Sequence, residues 1–284
     1  MGTLADAGGD TKLQTEMQRM RRDEVWRRRL HGDAREIKRE RSRQEKKVRV
    51  RVKFSKSGAM KFIGHLDVMR YFQKAMRRAE IDIAYSEGMS PHMIMSFAQP
   101  LGVGLTSDGE YMDVEVRTPI ASEDAIERLN RVGVDGIAVT QWRQIPEDKA
   151  NKAMTLVAAA DYELRFRKGY APKGDWQSQI SHFYAQKSIP VIKKTKKGEK
   201  ELDIRPLIYD MHVNAGTVYF QLSAGSEANI KPELVMDAYM ATLGITPEPF
   251  AYEIHRTELY ADLGKDGKRK LVPLGDLGKD VISL

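Results

Sequence analysis

The chain has no cysteine. That absence excludes a thiolate zinc site, a cysteine-held iron–sulfur cluster, a cysteine nucleophile and any disulfide framework. Chemistry of those kinds would have to come from a partner. No stretch approaches the roughly 18 uncharged apolar residues of a membrane span. The opening MGTLADAGGDTKLQTEMQRM has no apolar core of a secretory signal, and Asp6 stands where a myristoylation pattern beginning at Gly2 needs Ser or Thr. A cytoplasmic protein is the expectation. Nucleophile-elbow, P-loop and zincin patterns are also lacking. His182, His212 and His255 have no carboxylate at helical spacing, so no metal or other cofactor is expected.

What is present is a moderately basic chain of 284 residues, 41% hydrophobic, with a mean hydropathy of −0.51. That length accommodates two domains of roughly 100 to 120 residues plus tails. Forty-seven Lys and Arg against 40 Asp and Glu give a formal charge of +7, which favours anionic partners such as RNA. Gln18 to Lys47 holds 13 basic and 6 acidic residues, equal to the whole net charge. This segment reads either as a nucleic-acid-contacting arm or as a charged, partly helical linker.

Hydrophobic periodicity changes at Val48. VRVRVKFSK alternates Val48, Val50, Val52 and Phe54 with basic residues, the period-two signature of a half-buried strand. A helix follows from Gly64, then a strand at 81–86, a long loop, a strand through Met112, Val114 and Val116, a helix capped by Ser122 and a closing strand at GIAVTQWRQI. The order is β-α-β-β-α-β. After the link PEDKANKAMT, a looser repeat follows. It has a strand at 161–167, a helix at 175–188 capped by Asp175, a hairpin around Gly198, a strand pair turning at Asn214-Ala215-Gly216, a helix in KPELVMDAYMATLGI with Pro232 at an early position and Gly244 past its end, and a last strand YEIHRTELY. The expected fold class is α+β: two tandem ferredoxin-like (βαββαβ) sandwiches, residues 48–148 and 155–260, behind a basic arm (1–47) and before a peripheral tail (261–284).

GHLDVMRYFQKAMRRA, residues 64–79, raises the functional question. On a helical wheel Leu66, Met69, Phe72, Met76 and Ala79 fall in an arc of about 140° and form the expected buried stripe. Arg70, Lys74, Arg77 and Arg78 share a separate arc of roughly 100° with one acid, Asp67. That arc is either a solvated face or a ridge that tracks phosphates. His65 and Asp67 point about 160° apart in a helix and cannot share a proton, so Asp67 serves the helix dipole and Arg70 instead. His65 remains open as a cap, a core group or a general base.

The loop SEGMSPHMIMSFAQPLGVGLTS is too long for a simple connection and too apolar for disorder. Together with Tyr85 it places Ser86, Glu87 and His92 where they could bind a phosphate or nucleotide near the arginine-lined helix, and His92 is a second candidate general base. Lys193, Lys194, Lys196 and Lys197 crowd a hairpin tip flanked by Lys187 and Arg205. That tip is either a solubilising turn or a phosphate contact.

Several spaced motifs agree on a resemblance. They are Phe54-Ser55-Lys56, Gly64-His65-Leu66-Asp67, Arg77-Arg78-Ala79, Tyr85-Ser86-Glu87-Gly88, Pro91-His92, Ser96-Phe97-Ala98, Leu101-Gly102-Val103-Gly104, Ser107 and Glu110-Tyr111-Met112-Asp113. Over residues 48–260 the chain resembles the radical-SAM-linked protein family, a bacterial domain of unknown function found fused to, or encoded beside, a B12-binding-type radical SAM protein. The resemblance implies a shared pathway with that partner, whose cluster a chain without cysteine cannot hold. A looser likeness exists to the repeat-associated mysterious proteins that process CRISPR RNA and to tRNA pseudouridine synthases, both built on paired ferredoxin-like units. The expected function is an RNA-binding accessory factor for tRNA or rRNA modification. The alternatives are a metal-independent endoribonuclease using His65 or His92, and a protein scaffold for the radical SAM partner without RNA contact.

Overall fold

A computed structural model describes residues 47–195 and 198–282. The basic arm expected over 1–47 lies, up to residue 46, outside the described residues, as do Lys196 and Lys197. The fold is mixed α+β: one large, mostly antiparallel sheet with few helices.

In the first half, β1 (Val48–Lys56) leads through a 3-10 turn (Gly58–Phe62) into α1 (His65–Arg78). Next come β2 (Met95–Phe97), β3 (Thr106–Val116), α2 (Ser122–Arg131) and β4 (Ile137–Gln144). The strand expected at 81–86 is instead an extended segment held by two single bridges, Ile83 to Val116 and Tyr85 to Met93. Val50, Val52, Phe54, Met112 and Val114 alternate onto the face that packs against α1 and α2, as period-two strands require.

The second half runs α3 (Ala153–Leu156), β5 (Val157–Phe166), α4 (Ile180–Tyr184), the hairpin β6 (Pro190–Thr195) and β7 (Gly198–Asp203), β8 (Ile208–Asn214), β9 (Thr217–Ser223), α5 (Pro232–Thr242) and β10 (Tyr252–Asp262). Pro232 opens α5 at its first turn and Gly244 follows its end with φ +70°. The helix expected over 175–188 shrinks to α4, because Trp176 is drawn into the core edge-on to Phe166 (centroids 5.1 Å apart) and tertiary packing overrides local preference.

The main sheet has the order β12-β4-β1-β3-β10-β5-β9-β8, with β2 on β3 and β11 on β10. Here β11 is Leu271–Pro273 and β12 is Lys279–Asp280. The two halves meet where β10 lies parallel to β3, His255 opposite Thr106 and Arg256 opposite Ser107. At this seam a Cβ on Gly109 would come within 2.6 Å of the Glu258 Cα, so only glycine permits the approach.

Two further features depart from the sequence expectation. The tail is not peripheral: β11 pairs with β10 in one half and β12 with β4 in the other. Ser122 does not cap α2. It is buried, and its Oγ donates to the Trp142 carbonyl while accepting from the Val281 N–H at 2.9 Å. The tail therefore takes the bond that the helix end was expected to receive.

The basic residues of β1 do not face water. Arg51 is 1% exposed and makes a two-pronged pair with Asp113 (2.8 and 3.1 Å), directly opposite on β3. It also donates to the carbonyls of Leu274 in the tail (3.1 Å) and Asn151 in the link (2.6 Å). The second face of the first half-sheet is covered by these segments, and a buried guanidinium is tolerable there only because its donors are occupied. Removing one partner leaves an uncompensated buried charge. Asp113→Ala is expected to lower unfolding stability by about 3–5 kcal/mol in urea titration, and Arg51→Met/Asp113→Leu by clearly less. Equal losses would contradict this account.

Candidate functional site

α1 packs its inner side on the first half-sheet through Val68, Phe72, Ala75 and Met76, with Ala79 following. Relative to the expected stripe the helix is rolled by roughly 50–60°, so Leu66 is exposed and Val68 takes its place. Arg70, Lys74, Arg77 and Arg78 come together on the outer side, all exposed. Arg70 pairs with Asp67 at 3.1 Å, and Arg78 donates to the Val132 carbonyl at 2.9 Å. Lys74 and Arg77 have no ion-pair or hydrogen-bond partner among the described residues.

His65 begins α1, but Gly64 is the cap residue. The imidazole lies edge-on to Phe97 (4.9 Å) and lines a small cavity with Phe54, Lys56, Pro100, Leu101 and Glu110. Lys56 is buried and donates to the Ile63 carbonyl at 2.9 Å. Burial holds its ammonium below the ordinary lysine value, and the nearby Arg256 works in the same direction against Glu110. Glu110 in turn is clamped by Arg256 at 2.8 and 2.6 Å.

A second, larger cleft of about 280 Å³ opens on the opposite face of the sheet, over Asp113 and Glu115. Ser86, His92 and Ser96 line it together with Arg49 and Lys152. The loop that supplies Ser86 and His92 is closed by the Tyr85–Met93 bridge and by three local bonds. The Ser86 Oγ lies 2.8 Å from His92 Nδ1 and accepts from the His92 N–H at 3.1 Å; the Ser86 N–H donates to the His92 carbonyl at 2.8 Å. Arg49 is engaged by Glu115 at 3.1 Å and by the Asp148 carbonyl at 2.8 Å. Lys152 is held between Asn151 and Ala153, whose backbone groups bond Arg51 and Asp113.

The structure therefore gathers the four basic residues of α1 and, separately, Ser86 with His92. It does not join the two groups. Adjacent β3 residues point to opposite faces, so the sheet stands between the helix and the cleft. His65 and His92 line different cavities. Tyr85 is half-buried against the first core, and Glu87 is exposed outside the cleft lining. Arg205 is engaged locally, donating to the carbonyls of Gln186 and Ile208 with its guanidinium 4.2 Å above the Tyr184 ring. Lys193 and Lys194 lie on β6 opposite Lys200 and Glu199. Arg49 and Lys152 were not singled out in the sequence, since each reaches the cleft through long-range pairing rather than a local motif. Among the described residues no cluster of three His, Asp or Glu side chains could hold a metal ion, and no helix is long and apolar enough to cross a membrane.

A family model described as an uncharacterized protein conserved in bacteria, DUF2344, matches residues 49–232. The chain belongs to that family. No curated protein matches it. Among solved structures, the chain is similar to one titled "Crystal Structure of a Cbf5-Nop10-Gar1 Complex", with a TM-score of 0.38 and 9% identity. The match covers 74% of this chain and 48% of that one, so the chain spans less than half of that structure's length.

The buried Lys56 makes stability depend on pH with a definite sign. Its folded value lies below the ordinary 10.5, so between the two values the unfolded chain binds more protons and stability rises with pH. Urea-unfolding midpoints of the native chain and of Lys56→Met are expected to shift in the native chain's favour as pH climbs toward 10.5. A constant difference across that range would contradict the assignment.

Proposed function

We propose that this member of the family is an RNA-binding accessory factor that presents structured RNA, tRNA or rRNA, to a modifying partner. The observation that carries the reading is the outer face of α1, where Lys74 and Arg77 stand exposed beside Arg70 and Arg78, with no ion-pair or hydrogen-bond partner among the described residues. A solvated helix face ordinarily interleaves acids for i,i+4 pairs, and Asp67 is the one acid on this face. Unpaired cations on a rigid element suit phosphate contacts. The partner is a B12-binding-type radical SAM protein, on the strength of the sequence resemblance. A chain without cysteine leaves the cluster to that partner.

The finer fold reading belongs with this proposal. The strand orders β4-β1-β3-β2 and β10-β5-β9-β8 repeat one pattern, which supports two ferredoxin-like units joined along β3 and β10. Fold likeness alone does not carry function.

The Ser86–His92 hydrogen bond favours a second reading, a metal-independent endoribonuclease with His92 as general base. That reading requires the purified chain to cleave RNA and His92→Ala to abolish cleavage; intact RNA after prolonged incubation counts against it.

The primary reading is tested with Lys74→Ala/Arg77→Ala, because among the described residues neither side chain has a partner whose loss would perturb the fold. Gel shifts on tRNA are expected to show weaker binding, with the slope of log affinity against log salt shallower by about one for each phosphate contact removed. Unchanged affinity and slope would sink the proposal.

A further inference from the structure

Three large apolar side chains stand in water near the start of α1: Phe62 is 67% exposed, Val103 61% and Leu66 59%. Single exposed hydrophobic residues are ordinary. The segments that carry these three adjoin one another. The Gly104 N–H donates to the Lys61 carbonyl at 2.7 Å, which ties Val103 to the turn that carries Phe62. Leu66 follows His65, which shares a cavity wall with Pro100 and Leu101 at the base of the same 100–104 turn.

The patch sits within a cationic rim. The Lys61 Nζ lies 5.2 Å from the Phe62 ring centroid. Leu66, Arg70 and Lys74 succeed one another at four-residue steps, about 6 Å of helix axis each, and Arg77 continues the row. Asp67, the one acid in this row, is paired with Arg70. An apolar protein surface gains nothing from such a rim, and a polyanion does. A flat ring exposed in the turn that leads into a cationic helix is a stacking platform for a nucleobase, since every base offers a π-face. Duplex bases are already stacked on each other, so the occupant must be unpaired.

We infer that Phe62, flanked by Leu66 and Val103, stacks an unpaired RNA base whose adjoining phosphates run along Arg70, Lys74 and Arg77. The inference rests on the reading of α1 as a phosphate-binding helix and deepens it, because it assigns the substrate class: a loop, bulge or single-stranded end.

The test uses fluorescence anisotropy of the full chain with a labelled single-stranded RNA dodecamer and a blunt RNA duplex of the same length. Phe62→Ala is expected to weaken single-strand binding between about 5- and 150-fold and to leave duplex binding unchanged. Phe62→Trp retains affinity, and its added emission changes on binding the single strand. Phe62→Leu preserves apolarity without an aromatic face and behaves like Phe62→Ala. Native single-strand affinity in Phe62→Ala, alongside weakened binding in Lys74→Ala/Arg77→Ala, overturns this inference alone. Native affinity in Phe62→Leu overturns it too, because a side chain without a π-face would then suffice. If the lysine–arginine double variant also binds normally, the RNA reading fails as well.

Discussion

The buried pair Arg51–Asp113 is the constraint on which the first half depends. Neither charge could sit in the interior alone, and together they have more donors and acceptors than one pair can satisfy. The surplus recruits the chain around them: Arg51 takes carbonyls from Asn151 and Leu274, and Asp113 accepts the Ala153 N–H at 2.6 Å. Four segments distant in sequence thus meet at one ion pair. A consequence for function follows, because the same bonds fix the link on either side of Lys152 and so build one wall of the 280 Å³ cleft.

The seam between the halves repeats this logic with different residues. Arg256 clamps Glu110 and takes the Gln99 carbonyl at 3.0 Å, while Glu258 receives Lys53 at 2.7 Å and the Tyr111 hydroxyl at 2.7 Å. Burial, reinforced by Glu258, pushes the Tyr111 phenol well above the ordinary tyrosine range, so it remains a donor at physiological pH. The parallel β3–β10 contact is short, and these charged ties supply the specificity that a brief ladder of backbone bonds does not.

The sheet also separates two chemistries. On one side α1 presents cations and the turn before it an exposed aromatic ring, Phe62; on the other the Ser86–His92 loop faces paired carboxylates. The helix side retains Lys74 and Arg77, cations with no partner among the described residues. The cleft side has Arg49 already matched by Glu115, which leaves Lys152 as its cation with no partner among the described residues. That imbalance is why the helix, rather than the histidine loop, carries the functional proposal.

The sequence by itself determined what depends on neighbours a few residues apart. The alternation of Val48 through Phe54, the strand face of Met112, Val114 and Val116, the ends of α5 and the turn at Asn214-Ala215-Gly216 were all legible, because period and turn chemistry are local. So was the gathering of Arg70, Lys74, Arg77 and Arg78, which follows from helical spacing alone. Only the tertiary structure decided which charges were buried: nothing local distinguishes Arg51 from an exposed strand arginine, since its partner stands 62 residues away and its cover 100 and 223. It also decided the roll of α1 that exposes Leu66, the capture of Ser122 by the tail and the separation of His65 from His92. Each of those turns on which face of the sheet a segment packs against, and that choice is made by the energetics of the assembled chain.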